Sequence, residues 1–194
     1  MQQLTAGELF KLEDYANARA GFRQRVMQHK LARRIAIGDH LALYFEDRLT
    51  VQYQVQEMLR IERIFELEAI EEELATYNPL IPDGCNWKAT CMIEYSDETE
   101  RRKQLRRLRG IEDQIWIQIA QHRRVYAIAD EDLQRTDEEK TSAVHFLRFE
   151  LSADMIESLK NQGAICMGAN HVNYSYETGP IGAHSYASLC NDLD

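Results

Sequence analysis

Apolar positions along the chain switch between helical and strand spacing, and the switches outline the elements. At about 100° per residue, Tyr15, Ala18, Phe22, Val26 and His29 fall within about 80° of one another, which predicts an amphipathic helix over 12–35. Gly38 stops it. Leu41, Leu43 and Phe45 then alternate, as a half-buried strand over 40–45 requires. From Thr50 the spacing is helical again, with Val51, Val55, Met58, Leu59, Ile61 and Phe65 on one stripe. Beyond it the stripe moves to Leu67, Ile70 and Leu74, and one straight helix cannot bury both sets. A break near Glu66 is therefore expected, between helices over 50–64 and 67–77. Asn78-Pro79 and Pro82-Asp83-Gly84 mark the loop that follows.

Ala89, Cys91, Ile93 and Tyr95 alternate within a strand over 87–95. A basic helix capped by Asp97 or Thr99 runs on to Gly110. Ile115, Ile117 and Ile119, then Val125, Ala127 and Ala129, predict a hairpin over 113–130 that turns at 121–123. The acidic stretch 130–139 reads as a surface loop. Residues 142–151 are apolar on both faces, as a central strand would be. Ser152 caps a short helix through Lys160, ended by Gly163. Strands over 164–167 and 172–176 and a last helix over 181–193 complete the chain. Strands and helices do not alternate strictly, so the expected class is α+β, a mostly antiparallel sheet packed against helices. With 194 residues, one domain over 1–194 suffices: a helix at about 12–35 and an α+β core at about 40–194.

Composition narrows the class. The chain is 44% apolar and 28% charged, as a globular protein is. No apolar run approaches the ~18 residues of a membrane helix. The amino terminus has no apolar segment between a basic start and a cleavage site, so a cytoplasmic protein is expected. Cys85, Cys91, Cys166 and Cys190 include no C-x-x-C pair and suit free thiols in a reducing compartment. Lys and Arg number 23 against 32 Asp and Glu, a net charge of −9. Basic residues concentrate in Arg19–Arg34 and Arg101–Arg109, acidic ones in Glu62–Glu73 and 130–139. That charge, and the lack of aromatics interleaved with the basic residues, weighs against nucleic acid as a partner.

Few residues suggest chemistry. Glu62 falls within about 20° of Val51, in the middle of the apolar stripe, where an unpaired carboxylate would cost several kcal/mol. An inward Glu62 would therefore need a cation such as Arg148, a proton or a ligand. His145 and Arg148 sit on opposite faces of the expected central strand and need partners there. With His171, these residues form a candidate ligand-binding set: Glu62, His145, Arg148 and His171. Cys166, His171, His184 and Cys190 offer a thiolate–imidazole set for zinc or iron, but the spacing of Cys166 and His171 places them on opposite faces of a regular strand. No metal or other cofactor is favoured. Glu-x-x-His, H-E-x-x-H, G-x-G-x-x-G and G-x-S-x-G are absent.

The stretches HLALYFEDRLTVQYQVQEMLRIERIFELEAIEEELATYNPLIP, RRLRGIEDQIWIQI and DEEKTSAVHFLRFEL resemble the bacterial family named domain of unknown function 3501. The resemblance covers nearly the whole chain and implies one full-length domain without an established activity. It further implies an association with rubrerythrin-like and iron–sulfur oxidoreductase proteins. The leading expectation is thus an accessory or ligand-binding partner of a redox or oxidative-stress system, in contact with a redox protein and able to form a homodimer. The alternatives are an enzyme with a pocket at Glu62, His145, Arg148 and His171, and an RNA-binding module using the two basic helices.

Overall fold

The computed structural model describes residues 2–129 and 140–194. The expected acidic loop at 130–139 lies outside the described residues. Helix α1 (Leu12–Ala32) leads into strands β1 (Arg34–Ile37) and β2 (Leu41–Phe45), then helices α2 (Arg48–Glu62) and α3 (Leu67–Tyr77). Strand β3 (Asn86–Ile93) and helix α4 (Glu98–Arg107) precede strands β4 (Ile115–Ile119), β5 (Val125–Tyr126), β6 (Ile128–Ala129) and β7 (Val144–Glu150). Helix α5 (Ala153–Lys160), strands β8 (Ile165–His171) and β9 (Tyr174–Glu177), and helix α6 (Ala183–Cys190) follow. The strands form two sheets, β1-β2-β3-β7-β6 and β5-β4-β8-β9, with every pairing antiparallel. The α+β class holds.

Period-two burial explains how the sheets meet. Leu43, Phe45, Trp87, Ala89, Cys91, Leu147 and Phe149 of the first sheet share one core with Ile115, Ile117, Ile119, Ile165 and Met167 of the second. Met155 and Leu159 of α5 join that core. Burying each Leu, Ile, Phe or Met side chain of this core contributes about 1.5–3 kcal/mol before entropy is counted. A second cluster (Leu4, Val51, Val55, Leu59, Leu74 and Ile81) joins α2 and α3 to the amino terminus, and a third (Tyr15, Phe22 and Val26) joins α1 to α2.

Caps set the helix starts. The Asp47 side chain accepts from Thr50 N–H, that of Asp97 from Glu100 N–H, and that of Ser152 from Met155 N–H. Two expectations need correction. The first helix ends at Ala32 instead of 35, because Ile35 and Ile37 are drawn into the sheet core as β1. The hairpin after β4 also ends early: β5 pairs with β4 through two residues, and β6 crosses to pair with β7 in the other sheet. Alternation within 125–130 could not reveal that the run divides between two sheets.

Candidate functional site

Glu62 is the last residue of α2, and it is exposed. This corrects the inward carboxylate expected from the angle count. The buried residues of α2 are Thr50, Val51, Val55, Gln56 and Leu59, so packing stops a turn before the helix does. Glu62 instead stands near Glu73, whose carboxyl is raised by burial and then by the charges of Glu62 and Glu72. Beyond the capping Thr50, the polar group that α2 buries is Gln56: its Oε1 accepts from Phe10 N–H at 2.5 Å, and its Nε2 donates to Phe10 O at 3.3 Å. An uncharged amide on the flank of the stripe gave no signal in the sequence.

His145 is fully buried on the core face of β7, opposite Cys91. Its Nε2 donates to Ser142 O at 3.1 Å and lies 2.8 Å from Thr141 Oγ1, which donates to the buried Glu112 at 3.0 Å. Arg148 is on the opposite face of β7 and pairs with Glu150. His171, at the end of β8, uses both ring nitrogens: Nε2 donates to Arg109 O at 3.1 Å and Nδ1 accepts from Asn173 N–H at 3.2 Å. The four candidates therefore occupy a helix end, two faces of one strand and the end of another. The polar atoms of His145, Arg148 and His171 are engaged within the fold.

The thiolate–imidazole set is equally dispersed. Cys166 sits within β8, its thiol raised by burial and then by Glu177, while His184 is exposed at the start of α6. Cys190 ends α6, where burial also raises its thiol. Among the described residues, no three His, Cys, Asp or Glu side chains gather so as to hold a metal ion.

Tertiary packing assembles two charged nodes that the sequence does not show. Arg33, buried just past α1, donates from Nε to Phe45 O at 2.9 Å and from Nη2 to Glu46 O at 3.0 Å. It holds Asp192 through both carboxylate oxygens, at 3.2 and 2.5 Å. Asp47 lies 3.5 Å from Arg33 and accepts from His29 Nε2 at 2.5 Å. Between α1 and α2, Glu57 accepts from Tyr15 OH, from Arg19 twice and from Arg60, at 2.7 to 3.2 Å.

The corner between α2 and α3 departs furthest from the expected pattern. Arg63 turns the chain in the left-handed region at φ 57°, and Ile64 and Ile70 pack back onto the α2–α3 core. Ile61, Phe65 and Leu67 point outward, 61%, 72% and 61% exposed. Exposed carboxylates at Glu62, Glu66 and Glu68 stand among them. Ile61 and Phe65 were expected on the buried stripe. Three large apolar side chains thus stand exposed to water within seven residues.

The family model described as "Protein of unknown function (DUF3501)" matches residues 3–193. The chain belongs to the DUF3501 family. A solved structure from Burkholderia pseudomallei, described as a novel protein of unknown function, is similar to this DUF3501 chain at 49% identity. The match covers 100% of both chains with a TM-score of 0.94. No curated protein matches this DUF3501 chain. No helix among the described residues is long and apolar enough to cross a membrane.

Proposed function

We propose that this chain is a non-catalytic accessory protein of a redox system, which it joins by docking the α2–α3 corner onto a partner protein. The observation that carries the reading is the exposed trio Ile61, Phe65 and Leu67 set among Glu62, Glu66 and Glu68. Apolar anchors ringed by charge are the usual anatomy of a protein interface. Glu73 is raised first by burial and then by the charges of Glu62 and Glu72, and a partner bringing Lys or Arg offsets that second contribution. An apolar groove with a basic rim therefore fits this corner. The redox character of the partner rests on the family's association with rubrerythrin-like and iron–sulfur oxidoreductase proteins. The four free cysteines suit a reducing cytoplasm, where such partners work.

The test is calorimetric titration of the purified chain with the rubrerythrin-like protein and the iron–sulfur oxidoreductase of the same organism. One of them should bind, more weakly as salt rises. Phe65→Ser should weaken that binding about 30-fold or more while leaving the melting temperature unchanged. Binding to neither protein would overturn the redox partnership. Undiminished binding by Phe65→Ser would overturn the corner as the docking surface.

A further inference from the structure

A second surface lies where α4 meets the turns of both sheets. His40, in the β1–β2 turn, stacks on Tyr95 with ring centroids 4.0 Å apart and planes 20° from parallel. Tyr174 is buried beneath: its hydroxyl accepts from His40 N–H at 3.0 Å and donates to Ile37 O at 2.6 Å. Tyr176 leans on Tyr174 at 4.6 Å and against Gly38, where φ is +69° and a Cβ would come within 2.7 Å of the ring. Gly38 thus serves both the turn and the seating of an aromatic ring. Tyr176 remains 46% exposed.

The basic helix closes this aromatic shelf on one side. Asn173 Nδ2 donates to Arg107 O at 2.7 Å and His171 Nε2 to Arg109 O, which ties the end of α4 to the β8–β9 turn. Arg101 donates to Tyr95 O at 3.3 Å. The Tyr95 phenol is raised by burial and then by Glu100, whereas the nearby Arg107 guanidinium lowers it. Arg102 and Lys103 are paired with Glu98 and Glu100, but among the described residues Arg107 and Arg109 have no ion-pair partner. The aromatics that the linear sequence does not interleave with its basic residues are supplied by folding.

We propose that this shelf binds a nucleotide unit, with the base laid on Tyr176 beside the His40–Tyr95 stack and the phosphate drawn by Arg107. Every nucleobase has a π-face that such rings accept, and a guanidinium supplies the matching charge and planar donors. The unit can come from a free mononucleotide or from single-stranded RNA. The net charge of −9 does not decide the matter, because the field at one face depends on the charges there.

Titration of the full chain with AMP and with a labelled oligoadenylate, at low salt, tests this. Binding of AMP with no gain from the oligomer identifies a free nucleotide as the ligand; much tighter binding of the oligomer identifies a strand. Tyr176→Ala should weaken whichever binds by about tenfold, since stacking contributes about 1–3 kcal/mol per base and 1.4 kcal/mol is a factor of ten. Tyr176→Trp should keep the affinity. Arg107→Ala should weaken binding and flatten its salt dependence while melting with the wild type, and circular dichroism should show both Tyr176 variants folded. Absence of binding by both probes would overturn the proposal, as would equal binding by Tyr176→Ala and Tyr176→Trp, which would mark simple attraction of polyanions.

Discussion

Two carboxylates in this protein are each gripped by an arginine, yet they respond to protons in opposite ways. Glu57, between α1 and α2, is held down to about 2, first by the hydrogen bonds from Arg19 and then, against some burial, by those from Tyr15 and Arg60. Asp192, buried against Arg33, is pushed up to about 6 because burial outweighs the guanidinium, and the charge of Asp47 adds to it. The difference lies in surroundings rather than in the bridge itself. Where water reaches the pair, the arginine decides; where it does not, desolvation does.

Removing the buried cation should break the comparison most violently. Arg33→Met leaves Asp192 buried without its principal donor, removes the cation 3.5 Å from Asp47 and takes a donor from Phe45 O and Glu46 O. A loss of about 3–5 kcal/mol in urea unfolding at neutral pH is expected. A loss below about 1 kcal/mol would mean that the node is wet.

Acidity should then separate the two carboxylates. Asp192 has a folded pKa above its ordinary value of 3.8, so its contribution to stability is present below that value and is lost as pH rises through about 6. Glu57 has a folded pKa below its ordinary value of 4.5, so its contribution is present above that value and is lost as pH falls through about 2. Between pH 4 and pH 7, the stability advantage of wild type over Asp192→Asn should therefore shrink, on the order of 2 kcal/mol in total. The advantage over Glu57→Gln should grow as pH rises from 2 to 5. Parallel curves for the two variants would show that burial does not distinguish the nodes. At neutral pH, Glu57→Gln itself should cost about 1–2 kcal/mol in chemical denaturation, since the amide keeps the Tyr15 hydrogen bond but loses the charge that Arg19 meets.

The elements were legible and the nodes were not, for one physical reason. Periodicity reports which side of a helix or strand is apolar, and that sufficed for α3 over 67–77, for the break before it and for the alternation of β3 and β4. The Arg33 node joins residues 159 positions apart, and nothing in local spacing connects the end of α1 to the segment after α6. The buried Gln56 and the division of β5 from β6 were hidden likewise, since each depends on what a neighbouring element presents. His145 gave a partial signal: a polar residue on an apolar strand required partners, but Glu112 and Thr141 could not be named from spacing.

The smallest expected effect is the most instructive about that limit. The angle count treats α2 as if its apolar stripe were covered to the end, which makes Glu62 an interior charge whose replacement would cost several kcal/mol. In the fold the cover ends at Leu59, and Glu62 shares the corner with exposed Ile61 and with Glu73, which it repels. Glu62→Ala should consequently change stability by no more than about 0.5 kcal/mol, with any shift toward greater stability as a like charge is removed. Calorimetric melting of that variant a few degrees below wild type would return Glu62 to the interior and take Phe65 with it, because both stand on the same uncovered end of the stripe. Unchanged melting would leave Glu62 and Phe65 together on an exposed corner, outside the packed core.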